Sequence, residues 1–296
     1  MSRLVCALLV TLTLSGCPSE LTPPEPDPDP TPAPRACNGD AALCGLPVDE
    51  VAFLRTHNSH ASEERGYSQL SWNHYNAMPT QLTDGVRAVN MDVYLYEGQM
   101  VVCHGYCTLG LQRLDLILAE LTDFLAANPD EVVLLSLQNE APWADTLASL
   151  EAAGVGALGY SHTPGAPWPT LEEMLDGGTP LLISAGGTPA GAPDWLHRDG
   201  DLSWGDHWGA ETPDDLDCEA ENAPFDGGLY FFNNVLTAPI ASPDLANQVN
   251  HDPDLSERLQ ACGAENGQIP NIISVDFYSL GDTLEAVRRL NLGGIE

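Results

Sequence analysis

The sequence contains no lysine, and its ten basic residues are all arginine. Set against 43 acidic residues, they leave a formal net charge of -33. Nucleic acid needs a basic footprint, and none is available. Electrostatic attraction to an anionic membrane is excluded for the same reason. The acidity reads as a strongly solvated surface, with suitability for divalent cations or high salt as the sharper alternative. A long apolar run is also lacking: the stretch Leu4 to Leu14 is too short to cross a bilayer comfortably. No G-x-x-x-x-G-K-[ST] occurs, and the G-x-G-x-x-G at Gly154 to Gly159 does not follow a strand-like run, so a nucleotide-binding open sheet has little support. What is present is 43% hydrophobic residues in 296, enough for a sizeable core.

The N-terminus reads as an export signal. Arg3 supplies a basic start, Leu4 to Leu14 an apolar stretch, and Leu14-Ser15-Gly16-Cys17 resembles the lipobox of bacterial lipoproteins. That places a lipoprotein signal peptide at 1–16 and a lipidated Cys17 as the mature N-terminus, held to a membrane by acyl chains rather than by a helix. An ordinary cleaved signal is the alternative. Residues 17–36 are rich in Pro, Asp and Glu and form an extended linker. The folded domain is expected over 37–296. The expected location is the outer membrane or cell surface, or the secreted fraction, and the expected state is a monomer.

Export permits disulfides. Apart from Cys6 and Cys17, six cysteines remain: Cys37, Cys44, Cys103, Cys107, Cys218 and Cys262. Spacing favours Cys37–Cys44 and Cys103–Cys107, which leaves Cys218–Cys262. A zinc site is the competitor, but the tight Cys-x2-Cys repeats of structural zinc are missing.

Strand-like runs recur at 50–57, 86–96, 100–105, 131–140, 179–186, 228–235 and 270–278, several apolar on both faces. Between them lie helical patterns, notably 111–127, which stops at Asn128-Pro129. Thr170 with Glu173, and Asp282 with Glu285, have capping-box spacing. The alternation predicts an α/β domain. His57-Asn58, Asp92, His104, Gln138-Asn139-Glu140, Asn233-Asn234 and Asp276 all fall at or near the C-terminal ends of predicted strands. In a (β/α)8 barrel those ends converge on one mouth, whereas in an open sheet they spread along an edge. A barrel is therefore expected.

The ordered set "THNS", "QLTDGVRAVNMDVY", "VVCHGYC" and "NPDEVVLLSLQNE" resembles the X-domain of phosphatidylinositol-specific phospholipase C. It is most similar to the secreted phospholipase-C-like phosphodiesterases with a cysteine on either side of the second motif. The resemblance is strong over 48–140 and returns at "PNIISVDFY". It implies a distorted TIM barrel and a phosphoric diester hydrolase acting on a phospholipid such as phosphatidylinositol. His57 would be the base or phosphate-binding histidine and His104 the acid, with attack by a hydroxyl of the substrate giving a cyclic phosphate first. One branch of the family neutralises the phosphate with calcium. Here Asn58 and Asp92 match two calcium ligands. Asn90 stands where that branch has Glu, and Gln138 where it has its last Glu; Glu140 is the nearest compensating carboxylate. Weak calcium binding is the expectation. The metal-free branch has an arginine where this chain has Asp92.

Arg87, Asp276 and Tyr278 are candidate substrate contacts, with a core ion pair as the alternative for Arg87 and barrel-end packing for the other two. The loop 201–211, with Trp204, His207 and Trp208, is a candidate lid or interfacial loop. A glycerophosphodiesterase-like or sphingomyelinase-D-like enzyme is the nearest rival, although Asn90-x-Asp92 replaces the Glu-x-Asp of those barrels. A non-catalytic surface-binding barrel is the rival from another class.

Overall fold

The structure is a computed structural model describing residues 34–205 and 208–293. The expected signal peptide, Cys17 and most of the expected linker lie outside the described residues, as does His207.

Ten strands are described: β1 (Phe53–Thr56), β2 (Ala88–Tyr96), β3 (Gln99–Val102), β4 (Gln112–Arg113), β5 (Val133–Asn139), β6 (Leu181–Ala185), β7 (Leu196–Arg198), β8 (Ser203–Gly205), β9 (Leu229–Asn234) and β10 (Ile272–Val275). Eight of them pair in parallel in the order β7-β6-β5-β2-β1-β10-β9-β8. Read round the sheet this is the sequence order, with β3 and β4 set aside as an antiparallel excursion from β2. The fold is a distorted TIM barrel, left open between β7 and β8, which do not pair. The run 100–105, read as one strand of the series, belongs to that excursion. The short β7 and β8 have no clear signature in the sequence. At β8 the chain passes so close to its neighbour that a Cβ on Gly205 would lie 1.9 Å from the carbonyl oxygen of Phe231.

The core lies on both faces of the sheet. Outside, Leu114, Ile117, Leu118, Leu121 and Leu125 form one face of the helix Leu114–Ala127 and pack on the strands. Inside, at the N-terminal end of the strands, Phe53, Ala88, Leu134, Leu182 and Leu229 form a second cluster with Val48, Trp168 and Leu171. That end is closed by the segment from Cys37: Asn38 binds the backbone of Asp130 and Val132, and Val48 that of Pro169. The three disulfides are Cys37–Cys44, Cys103–Cys107 and Cys218–Cys262. Thr170 and Glu173 form their capping box. Asp282 does not cap: its carboxylate accepts the N–H of Asp252 instead.

Candidate active site

The period of two along each strand builds the barrel interior in layers. Two residues beyond the apolar layer stand Arg55, Asn90, Ser136, Ser184, Phe231 and Ser274; two beyond those, at the mouth, come His57, Asp92, Gln138, Asn233 and Asp276.

His57 leaves β1 at the mouth, its backbone N–H on the carbonyl of Val275 at 3.0 Å. Its Nδ1 faces Asp276 Oδ1 at 3.1 Å, and the same oxygen accepts from Asn73 Nδ2 at 2.8 Å. Nδ1 therefore carries the hydrogen, and Nε2 is turned toward the mouth as a proton acceptor. His104 is held in the same sense: its Nδ1 donates to the carbonyl oxygen of Ser71 at 2.9 Å, and Nε2 faces the mouth. Burial pushes the His104 pKa below the ordinary histidine value of 6.5. The two ring centroids are 6.4 Å apart. Both Nε2 atoms look onto the amide of Asn58, at 3.2 Å for His57 and 3.3 Å for His104.

The residues following His57 and Asp276 adopt left-handed backbone: Asn58 has φ 50° and Phe277 φ 44°. Asn tolerates this, but for a phenylalanine the conformation costs on the order of 1–2 kcal/mol. Phe277 is held by full burial against Trp72 and Tyr75 and by its N–H on the carbonyl of Asn73. The turn it makes aims Asp276 at His57.

Beside the histidines lie Asn58, Asn90 and Asp92. The amide of Asn58 can face either way. With its nitrogen inward it donates to Asp92 at 3.1 Å and to Asn90 Oδ1 at 3.3 Å, and its oxygen faces the histidines. With its oxygen inward, Asn58 Oδ1, Asn90 Oδ1 and the Asp92 carboxylate crowd together, and its nitrogen reaches His57 Nε2 at 3.2 Å. Only a cation or a proton holds such an oxygen cluster together, and an all-oxygen set suits a hard cation. Among the described residues no group of three His, Cys, Asp or Glu could hold a metal, so a cation here rests on amide oxygens and one carboxylate. Burial raises the Asp92 pKa to about 6. Gln138 is the register partner of Asp92 and is exposed at the mouth; Glu140, exposed two residues on, is near enough to push the Asp92 pKa further up.

Below the histidines a cavity of about 220 Å³ runs into the barrel. Arg55 stands in it, buried, donating to Ser274 Oγ at 2.6 Å and Ser136 Oγ at 3.2 Å. Burial lowers its pKa to about 10, so the guanidinium stays charged at neutral pH. It lies over Phe231 and Trp208, and the Trp208 ring is 5.2 Å from His57. Of the two tryptophans of the loop 201–211, Trp208 is at the mouth; Trp204 is buried on β8, stacked on Tyr230.

The three expected substrate contacts fall in different surroundings. Arg87 precedes β2, at the end of the barrel away from the mouth, and pairs with Glu131 at 2.6 Å while donating to the carbonyls of Leu82 and Val86. Tyr278 is buried, donating to Asp84 Oδ2 at 2.6 Å and accepting from Asn76. Asp276 is at the mouth, where its Oδ1 faces His57 Nδ1 and accepts from Asn73, which makes it a histidine-orienting group. Sequence reading missed the segment Ser71–His74: Ser71 holds His104, Asn73 holds Asp276, and His74 Nε2 donates to the His57 carbonyl oxygen at 2.7 Å. No spacing signals it, since it meets the strand ends only through the fold.

The sequence model of the PI-PLC X domain, described as PI-PLC X 1, matches residues 43–291. The chain belongs to the PI-PLC X family. A PI-PLC X domain-containing protein of Arabidopsis thaliana is 26% identical over 283 residues, 87% of this chain and 65% of its own length. The chain thus spans just under two thirds of that relative. A PI-PLC X domain-containing protein of Arthroderma benhamiae is 25% identical over 281 residues, covering 86% of this chain and 89% of that protein. An uncharacterized secreted protein of the same fungus is 28% identical over 158 residues, 50% of this chain and 35% of that protein. Phosphatidylinositol-specific phospholipase C from Staphylococcus aureus shares the fold with a TM-score of 0.55 at 14% identity, covering 82% of this chain and 94% of that one. The Listeria monocytogenes enzyme gives 0.52 at 14% identity, covering 84% and 94%. A secreted relative and three disulfides fit an exported protein, and among the described residues no helix is long and apolar enough to cross a membrane.

Proposed function

We propose that this PI-PLC X domain hydrolyses a phosphodiester of a phospholipid such as phosphatidylinositol by two-histidine general acid–base catalysis. The observation carrying the proposal is the matched pair of histidines, each with Nδ1 tied to a fixed acceptor and Nε2 turned toward the mouth against the Asn58 amide. His57, backed by Asp276, takes the proton from a hydroxyl of the substrate. The oxygen attacks phosphorus, the bond to the leaving alkoxide breaks, and His104 delivers the proton that alkoxide needs. The product is a cyclic phosphate, which water opens with the roles reversed. A single residue could not stand on both sides of phosphorus, which is why two are required.

The charge on the phosphate calls for a cation. Asn58, Asn90 and Asp92, with Gln138 or Glu140 at the rim, would hold calcium, which supplies charge neutralisation when bound. With one buried carboxylate, affinity belongs at the weak end, around 10⁻⁴–10⁻³ M. Arg55 adds a fixed positive charge from below. The scarcity of basic groups argues against a head group carrying further phosphates. Export with acyl attachment at Cys17 completes the reading, and a monomer suffices for the site.

The test is phosphorus NMR of the protein with phosphatidylinositol and with glycerophosphodiesters, with calcium and with chelator. A cyclic phosphate from phosphatidylinositol is expected, faster with calcium. Turnover of glycerophosphodiesters alone, with no cyclic species, would move the chain to the glycerophosphodiesterase-like class. No turnover of any of them would leave a binding barrel.

A further inference from the structure

The cavity below the histidines is a chamber of its own: among the described residues its lining includes neither histidine nor Asp92. Arg55 and Phe231, from the layer under the mouth, form its upper wall. Ala88, Leu134, Leu182 and Leu229, from the apolar layer, form its floor. Asp199, Gly200 and Leu202, in the link between β7 and β8, form one flank, on the side where strand pairing does not close the barrel. Glu221 lies beside them, exposed, its N–H on the carbonyl of Gly205 at 2.8 Å. This exposed flank gives the chamber a way to solvent at the side of the barrel.

Arg55 brings a buried positive charge into this space. It is 7% exposed, and among the described residues no carboxylate pairs with it. Its hydrogen bonds go to the neutral hydroxyls of Ser136 and Ser274, and its guanidinium lies over the rings of Phe231 and Trp208. Asp199, Asp92 and Asp276 act on it through space, and the last of these is engaged by His57 and Asn73. A buried guanidinium short of a counter-charge, beside open volume, suits an anion. Size limits that anion. An apolar cavity of about 150 Å³ takes up benzene, so one of about 220 Å³ takes up roughly eight or nine non-hydrogen atoms. Charge limits it further: Asp199 and Glu221 share the lining, so a monoanion is favoured over a phosphate dianion. The aliphatic floor calls for an apolar tail.

We infer that the chamber binds a short aliphatic monocarboxylate, its head on Arg55 and its tail on the leucines of the floor. The planar fork of the guanidinium matches a carboxylate. Burial pushes Asp199 toward its protonated form, which eases its repulsion of the ligand and lets it donate a hydrogen bond. Ser136 and Ser184 bring hydroxyls to the same wall. The inference does not depend on the reaction at the mouth, since neither histidine lines the chamber.

The test is isothermal titration calorimetry of the full chain in chelator with hexanoate, and with hexanol, hexylamine, a free hexose and inorganic phosphate as controls. Hexanoate should bind with Kd on the order of 10⁻⁴–10⁻³ M, and each control about tenfold more weakly or not at all. Arg55→Met, similar in length but without the charge, should weaken hexanoate about tenfold or more. Asp199→Asn, which removes a negative charge from the wall, should tighten it. Ala88→Leu fills the floor and leaves Arg55 in place; it should weaken hexanoate and spare acetate, which has no tail to seat there. The thermal midpoint reports whether each variant is folded, and if Arg55→Met does not fold, Ala88→Leu decides. Absence of wild-type hexanoate binding, unaltered binding in folded Arg55→Met or in Ala88→Leu, or a control that binds as tightly as hexanoate would each overturn the inference.

Discussion

At the lower end of the barrel, Phe53, Ala88, Leu134, Leu182 and Leu229 fill the interior with apolar side chains. Four residues further along β1, β2 and β5, the same inward row presents His57, Asp92 and Gln138, with Arg55, Asn90 and Ser136 between. Burial is nearly equal at both ends, since Asp92 is 3% exposed and Leu134 6%. The chemistry of burial is opposite. The lower layers gain free energy by leaving water. The upper layers lose it, and hold their places through hydrogen bonds to Asn73, Ser71, Ser136 and Ser274 and through the strained backbone at Phe277. One end stabilises the fold, and the other is stabilised by it.

The sharpest way to separate the ends is to strike each where it is strongest. His57→Ala and His104→Ala should each reduce turnover roughly 10²–10⁴-fold. Neither should shift the thermal midpoint by more than a few degrees. Two variants retaining near wild-type rates would remove the two-histidine mechanism. Leu229→Ala, at the lower end, should do the reverse: about 2–5 kcal/mol lost in denaturant unfolding, with kcat per folded molecule preserved. A smaller loss would mean that the cavity above it lets the site collapse.

A subtler contrast concerns Asp92. Its pKa is raised from 3.8 to about 6, so the native state binds its proton more tightly than the unfolded chain does. Native stability is therefore lowest above pH 6 and recovers as pH falls toward 3.8. In chelator, Asp92→Asn should stabilise the protein by up to about 3 kcal/mol above pH 6, and the gain should vanish below 3.8. The same variant should lose calcium binding and turnover. A variant destabilised at pH 7 in chelator would show that the carboxylate is satisfied by its amide neighbours after all.

The smallest effect is in the pH profile. His104 must be protonated to act as an acid, and burial lowers its pKa. The alkaline limb of kcat/KM should fall below 6.5 and move upward when the site is opened, for example by Trp208→Ala. An alkaline limb well above 6.5 would assign the acid to another group.

Much of this was legible in the linear chain. Parallel strands buried on both faces read as apolar runs, and the polar residues that end them could be counted off, so the barrel and its mouth followed from pattern. The disulfide pairs followed from spacing. What the sequence could not decide is direction. Arg87 and Arg55 are both arginines beside β-strand positions; one sits before its strand and meets Glu131, the other sits within its strand and faces the cavity. Tyr278 follows Asp276 by two residues, but the left-handed turn at Phe277 sends it away to Asp84. Ser71–His74 carries no motif and still fixes both histidines. The reason is physical: periodicity records which face of an element is buried, while a side chain's partner depends on which distant backbone group the closed barrel brings within 3 Å, and only the tertiary structure sets that.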